Sequence, residues 1–269
     1  MYILAFETSC DDTSIAIFDD DRLISMDTNS QIFIHNKTWG VVPEVAAREH
    51  ANNIFKVLTT VLEQAKLTLQ DIDYIWVTTN PGLLPSLLTW TTVASTISRV
   101  LNKKIIPINH IEAHIFSNFL ERKEEEIEFP LVCLTVSGWH NDIYHMNSMF
   151  DIEKIGSSRD DAWWEAFDKA AKMMWLEYPW GPIISKLAEE YEIENGGKYT
   201  KGNEGLFPRV WLIKREHNFS FSGLKSSVKR EVDKRKLEKW ELSIDDKKEI
   251  SYEFENAVTE VMAWKLINA

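Results

Sequence analysis

The sequence predicts an α/β protein with two lobes and mixed sheets. Strands alternate with helical segments between residues 45 and 108, a pattern typical of parallel strands joined by helices. Three short strands, with a small polar turn after the first, occupy residues 1–28, and the same plan returns from residue 129. We therefore expect lobes at 1–128 and 129–269, with a charged run at the boundary and a ligand cleft between them.

The first lobe opens with an apolar strand, a turn of hydroxyl and acidic residues, and two further strands, which make its sheet mixed. Pro43 stands near the start of a long segment with helical periodicity, where proline is tolerated. Asn80-Pro81-Gly82 indicates a turn before the next helix. The predicted strands are 3–7, 15–18, 23–26, 72–78 and 105–108, and the predicted helices are 45–67, 83–101 and 110–119.

The second lobe begins with a strand that runs into a small-residue turn at Ser137-Gly138. Asp160 and Asp161 precede a helix, where acids commonly act only as caps. A later helix carries most of the concentrated positive charge, a pattern that usually marks a solvated face. The predicted strands are 131–138, 143–146 and 150–155, and the predicted helices are 165–174, 183–191, one from about 225 to 239, and 250–267.

Composition excludes several classes of protein. The net charge of −12 argues against a chain that binds nucleic acid through its overall electrostatic field. Nucleic-acid binding would need a local basic patch or a partner subunit. No apolar run is long enough to span a membrane, the N-terminus does not resemble a signal peptide, and two cysteines form no disulfide framework. We expect a cytoplasmic protein.

His110 and His114 are the first candidate site. They follow a short apolar strand and stand four positions apart on a predicted helix, which places both imidazoles on one face. Two histidines at that spacing can bind one divalent metal ion. The spacing alone is also compatible with two histidines on a helix surface.

The turn from Thr8 to Ser14 is a second candidate. A strand, a turn of hydroxyl and acidic residues, and another strand often begin a phosphate or metal-nucleotide site, because backbone N–H groups and hydroxyls point into the bend. An ordinary hairpin with polar turn residues has the same appearance.

These motifs, taken together, resemble one family. They occur in register along nearly the whole chain, and the chain is similar to the TsaD family of tRNA adenosine threonylcarbamoyltransferases, formerly described as O-sialoglycoprotein endopeptidases. The matching segments are Glu7–Asp12, Val41–Glu44, Asn80–Leu83, Asn109–His114, Val136–Gly138, Asp160–Asp161, Glu165–Lys169, Tyr178–Pro179 and Phe219–Lys225.

The resemblance implies an actin-like ATPase fold with two lobes, as in sugar kinases, Hsp70 and actin, with the second lobe incomplete at its C-terminal end. It implies metal-assisted transfer of a threonylcarbamoyl group from threonylcarbamoyl-AMP to N6 of adenosine 37, in tRNAs that read codons beginning with A. TsaB-like and TsaE-like subunits are the implied partners beside tRNA.

By matching position, His110 and His114 would hold Fe²⁺ or Zn²⁺. Glu7 and Asp11 would lie near the phosphate end of the ligand as candidate catalytic residues, with Asp11 as a possible general base. The implied adenylate-binding residues are Thr135, Val136, Ser137, Gly138, Trp139, Asp168 and Gly181.

The chain departs from the family pattern in one residue type. It has 11 Trp and 10 Gly, and tryptophan repeatedly stands where the family has glycine. We hypothesise that UGA codons meaning glycine have been read as tryptophan; the alternative is a degenerate relative with a filled pocket. The positions concerned are Trp39, Trp90, Trp139, Trp164, Trp175 and Trp180.

The sequence also lacks two elements that the family has beyond the last predicted helix: a glycine-rich phosphate-binding turn and an aspartate that completes the metal site. We therefore expect weak metal binding and no transfer by this chain alone. The main alternative is an inactive fragment or a TsaB-like non-catalytic partner, which the histidine pair disfavours. The chain lacks the His-Glu-x-x-His signature of a metalloprotease. A sugar or acetate kinase is suggested by fold analogy alone, and the histidine pair does not fit it.

Overall fold

The computed structural model describes residues 1–38, 40–137, 141–177, 180–196, 205–209 and 216–269. Within it, Met1–Ile127 and Glu128–Ala269 each form a compact unit. Among the helices of these described residues, none combines the length and apolar character needed to cross a bilayer.

The first unit contains a five-stranded mixed sheet. Its order is β3-β2-β1-β4-β5, with β1, β2 and β3 antiparallel and β4 and β5 parallel to β1. This arrangement confirms the α/β class with a mixed sheet that the sequence predicts. The strands are β1 Tyr2–Glu7, β2 Asp12–Asp19, β3 Arg22–Ser30, β4 Tyr74–Asn80 and β5 Lys104–Asn109.

Helices connect the parallel strands. The long helix α2 buries residues at helical spacing, including Ala46, His50, Ile54 and Val61, and packs beside α3 over the sheet. The core between these layers is apolar and includes Leu4, Ile17, Ile75 and Trp90. The helices are α1 Ile32–Asn36, α2 Pro43–Ala65, α3 Leu84–Leu101 and α4 His110–Phe116, with 3₁₀ turns at Ser117–Phe119 and Glu124–Glu126.

The described residues of the second unit form a three-stranded antiparallel sheet and four helices. A core of aromatic and aliphatic side chains joins them, with Phe167 of α5 packed edge-on against Phe254 of α8. The elements are β6 Leu131–Val136, β7 Asn141–Ser148, β8 Asp151–Ser157, α5 Trp163–Met173, α6 Trp180–Glu194, α7 Ser222–Lys239 and α8 Ile244–Ile267.

Local chemistry explains where the elements differ from the prediction. Helix α8 begins six residues earlier than expected because Ser243 and Asp246 form a capping box, each side chain bonding the other's backbone N–H. Helix α4 ends at Phe116, and its predicted last turn is 3₁₀. The five-residue helix α1 has no distinctive signal in the sequence.

Candidate functional site

The histidine pair occupies the beginning of α4, directly after β5. Asn109 is the N-cap, and its side-chain oxygen accepts hydrogen bonds from the N–H groups of Ile111 at 2.9 Å and Glu112 at 3.2 Å. This cap begins the helix at His110, so His110 and His114 are one turn apart on the same face.

The two imidazoles converge through their Nε2 atoms, which are 3.1 Å apart. Their ring centroids lie 4.5 Å apart, with the ring planes at 82°. With metal–nitrogen bonds of about 2.1 Å, this separation corresponds to an angle of about 95° at a shared metal ion. That angle lies within the range of ordinary four- to six-coordinate sites, so the pair fits two ligand positions of one ion.

Glu7 and Ser9 approach the other nitrogen of His110. Glu7 Oε2 lies 3.1 Å and Ser9 Oγ 3.2 Å from His110 Nδ1, and Ser9 N donates to Glu7 Oε1 at 2.6 Å. A carboxylate on Nδ1 favours the tautomer with a proton there and directs the Nε2 lone pair outward. Glu7 is therefore placed to orient His110, a contact that its sequence position alone did not indicate.

The electrostatics agree with this arrangement. Burial raises the pKa of Glu7, but the hydrogen bond and charge of His110, with further hydrogen bonds from Ser9 and Thr78, outweigh it and lower the pKa to about 2. Burial, followed by the charge of His110, lowers the pKa of His114, which favours the neutral imidazole that a metal ion requires.

The donor set suits Fe²⁺ or Zn²⁺, because neutral imidazole is a common ligand for both. In the part of the chain that the structure describes, no group of three or more His, Cys, Asp or Glu side chains is arranged to hold a metal ion. The described residues thus supply two ligands and an orienting carboxylate. Asp11 lies at the same turn, and its backbone oxygen accepts from Gln31 N at 3.1 Å.

In the second unit, two matching segments, Glu165–Lys169 and Phe219–Lys225, converge on Asp161. Lys169 Nζ and Lys225 Nζ each lie 2.6 Å from its carboxylate. Burial raises the pKa of Asp161, but these two ammonium groups outweigh it and lower the pKa below its ordinary value. Asp160 does cap a helix, although a distant one: it accepts from Phe221 N at 2.8 Å and Ser222 N at 3.3 Å, at the start of α7.

The predicted adenylate-binding residues are spread over β6, α5 and α6. Thr135 lies near the end of β6, and its Oγ1 donates to Asp142 O at 3.4 Å in the neighbouring strand; Val136 ends the strand and Ser137 follows it. Asp168 is on α5, and Gly181 is a buried residue in the first turn of α6. Gly138 and Trp139 lie outside the described residues, as do Trp39 and the Tyr178-Pro179 motif.

Asp168 carries the clearest electrostatic signal among these residues. Burial raises its pKa to about 6, with Lys172 acting in the opposite direction and Glu165 in the same direction. An acid with this pKa is partly protonated near neutral pH, so it can both donate and accept hydrogen bonds to a ligand.

Asp168→Asn is expected to stabilise the chain at pH 7.5 and to have little effect below pH 4. The folded-state pKa lies above the unfolded value, so ionisation destabilises the fold as the pH rises from about 4 to 6. The full shift sets a ceiling of about 3 kcal/mol, and partial solvation reduces the expected gain to about 1–2 kcal/mol. Urea unfolding at both pH values measures this gain, with substitution of the exposed Asp233 of α7 by Asn as the control. An equal gain at both pH values would contradict a raised pKa at Asp168.

The described tryptophans that the resemblance places at glycine positions differ in their packing. Trp90 is fully buried, with its ring centroid 4.8 Å from that of Phe6, and Trp180 is also buried. The ring of Trp164 lies directly over Gly181, where even a methyl group would collide with it. Trp175, by contrast, is 78% exposed and has a φ of +55°.

Trp175 occupies a position that glycine normally fills. Its N–H bonds Lys172 O at 3.1 Å, and the next residue, Leu176, bonds Ala171 O at 3.0 Å, which is a Schellman motif at the end of α5. The residue at this point needs the left-handed conformation. Trp240, at the end of α7, also has a positive φ of +68°, a position that the sequence analysis did not single out.

Comparison with known proteins identifies the family. The family model for tRNA N6-adenosine threonylcarbamoyltransferase, TsaD, matches residues 22–269. A tRNA N6-adenosine threonylcarbamoyltransferase of a Sulfurihydrogenibium species is 42% identical over 272 residues, which cover 100% of this chain and 74% of the relative. The enzyme of the same name from Staphylococcus epidermidis is 41% identical over 269 residues, covering 99% of this chain and 74% of the relative.

A solved structure, YeaZ from Pseudomonas aeruginosa, aligns with 57% of this chain and 63% of its own at 13% identity and a TM-score of 0.40. The assignment comes from the sequence relatives and the family model. They define a transferase, and the mixed sheet described above is of the α/β class. The chain belongs to the TsaD family.

Proposed function

We propose that this chain transfers a threonylcarbamoyl group from threonylcarbamoyl-AMP to N6 of adenosine 37, in tRNAs that read codons beginning with A. The observation that carries the proposal is the pair of Nε2 atoms 3.1 Å apart in a chain of this family. Because the reaction modifies tRNA, we also propose a cytoplasmic location.

His110 and His114 would hold one Fe²⁺ or Zn²⁺ ion, which when bound supplies a Lewis acid to polarise the carbamoyl carbonyl and neutralise developing negative charge. Glu7 and Ser9 keep Nδ1 of His110 engaged, so that Nε2 faces outward. Glu7 is thus a positioning residue in this proposal rather than a proton carrier.

The transfer itself is an acyl substitution. N6 of adenosine forms a bond to the carbamoyl carbon, the bond from that carbon to the AMP phosphate oxygen breaks, and N6 loses one proton. Asp11 is the proposed acceptor of that proton. Five of the described residues are proposed to lie along the adenylate: Thr135, Val136, Ser137, Asp168 and Gly181. Gly138 and Trp139 would continue the same site.

A reconstituted assay tests the proposal. The chain is incubated with threonylcarbamoyl-AMP and tRNA, with and without TsaB-like and TsaE-like subunits, and the tRNA nucleosides are measured by mass spectrometry. We expect the modified adenosine only when the subunits are present, because the net charge of −12 disfavours tRNA binding by this chain alone. No product in either arm would overturn the proposal and favour an inactive fragment or a TsaB-like non-catalytic partner.

Helix α7 is the proposed tRNA contact, although much of its positive charge is already paired. Lys225 pairs with Asp161, and Arg235 pairs with Glu231, Asp246 and Glu249. Lys239 also contacts Asp246. The side chains left facing solvent near the middle of the helix include Lys229 and Arg230, and neither forms an ion pair with an acid among the described residues.

Reversing these two charges, Lys229→Glu with Arg230→Glu, is expected to weaken tRNA binding by roughly tenfold at 0.1 M salt. If both side chains contact phosphates, the slope of log affinity against log salt should fall by about 2. Lys186→Glu, an exposed lysine on α6, is the matched control. An unchanged salt slope in the double variant excludes this face as the tRNA contact.

A further inference from the structure

The turn that carries Ser9 is held from several sides. Leu83 N donates to Ser9 O at 2.7 Å, and Gly82 lies so close that a side chain there would meet Ser9 O at 2.7 Å. Thr8 Oγ1 donates to Ser86 O at 3.3 Å. The start of α3 therefore packs directly against the segment that positions Glu7 and Ser9.

His50 holds the same turn from the side of α2. Its Nε2 lies 3.0 Å from Cys10 O, so this nitrogen donates. Its Nδ1 must then accept, and Thr13 Oγ1 at 2.7 Å and Gln31 Nε2 at 3.3 Å are the donors. Gln31 N also donates to Asp11 O at 3.1 Å, so the network contacts the turn at two backbone carbonyls.

A second histidine completes the network. His35 Nε2 donates to Gln31 Oε1 at 3.0 Å, and Val42 N donates to His35 Nδ1 at 3.4 Å. The side chains of Thr13, Gln31, His35 and His50 belong to residues with no exposed surface. Burial lowers the pKa of His50, with Cys10 O opposing it, which favours the neutral ring that both roles require.

We infer that His50 is a positioning residue: through the Cys10 carbonyl it fixes the Thr8–Asp11 turn, and so keeps Glu7 and Ser9 on His110 Nδ1. An apolar residue at position 50 could fill the space, but it would leave Cys10 O without this donor and Thr13 Oγ1 without its acceptor. This inference deepens the proposed function and rests on its metal site.

Two substitutions separate positioning from general stability. Asn at position 50 places its amide near the site of Nδ1 and does not reach Cys10 O, whereas Gln reaches the site of Nε2 and keeps a donor there. His35→Asn disturbs the same buried network without touching the turn. All three variants are expected to unfold at lower temperature, so stability alone does not distinguish them.

Zn²⁺ affinity, measured at 25 °C in competition with a chromophoric chelator, distinguishes them. We expect His50→Asn to weaken Zn²⁺ binding about 10-fold, the cost typical of losing an outer-shell partner. His50→Gln and His35→Asn should remain within threefold of the wild type. The metal-free chain gives a second readout, because long-range ¹⁵N–¹H correlation spectra should report Nδ1–H at His110 in the wild type and a tautomer mixture in His50→Asn.

Wild-type Zn²⁺ affinity together with a single His110 tautomer in His50→Asn would overturn the inference. If wild type binds Zn²⁺ no better than His110→Ala, the metal part of the proposed function fails instead. The tautomer spectra then decide the positioning role by themselves.

Discussion

His110→Ala is expected to weaken Zn²⁺ or Fe²⁺ binding by at least about 100-fold. Losing an outer-shell partner alone costs up to about 100-fold in metal affinity, and this change removes a direct ligand. It removes one of two converging ligands and also leaves Glu7 without its hydrogen-bond partner on Nδ1. A chelator competition titration gives the affinity, and the reconstituted transfer assay should lose its product in parallel.

His145→Ala, which removes a histidine from β7 in the other unit, is the matched control for the titration. His114→Ala should resemble His110→Ala in metal affinity while leaving the Glu7 contact in place. Metal binding that survives both substitutions would place the ion elsewhere and remove the main support for the proposed chemistry.

Opposite effects are expected for two glycine substitutions at tryptophan positions. Trp175→Gly should raise the free energy of unfolding by about 1 kcal/mol, because it relieves a left-handed backbone at an exposed helix end. Trp90→Gly should lower it by at least about 4 kcal/mol, because it empties a buried site against Phe6 and puts glycine inside α3.

Lys66→Gly is a matched control for Trp175→Gly. Lys66 has a φ of +57° at the end of α2, and the N–H groups of Lys66 and Leu67 form the same two Schellman hydrogen bonds. Urea unfolding of the three variants gives the comparison. Equal stability of Trp90→Gly and the wild type would contradict the packing described for Trp90.

The conformations at these tryptophan positions also bear on the hypothesis that UGA codons meaning glycine have been read as tryptophan. The backbone at Trp175 and Trp240 has the conformation that favours glycine, whereas Trp90 is packed as a core residue. A peptide mass spectrum of the protein from its native cells identifies each residue directly. Glycine at position 175 would support the reading of UGA as glycine, and tryptophan there would exclude that reading at this codon.

Features governed by local chemistry could be predicted from the sequence. The four-residue spacing of His110 and His114 was sufficient to place their imidazoles together, because one helical turn fixes that geometry. Alternation of strands and helices, together with the three opening strands, was likewise sufficient for the mixed α/β sheet. The boundaries of α8 were less accurate because the capping box that begins it lies outside the apolar periodicity.

Contacts between distant residues could not be predicted in this way. Glu7 meets His110 across 103 positions, and Asp160 caps a helix whose N-cap residue, Phe221, lies 61 positions later. Periodicity describes one element at a time and contains no information about which elements become neighbours. The raised pKa of Asp168 likewise depends on burial within the folded second unit.

The length of α4 couples metal binding to local folding. A seven-residue helix is too short to be stable by itself, so α4 depends on Asn109 and on its connection to β5. An ion shared by His110 and His114 would join two successive turns of this helix and oppose its local unfolding. The measured metal affinity would then include the free energy of ordering α4, and any change that frays this helix would weaken metal binding without touching either imidazole.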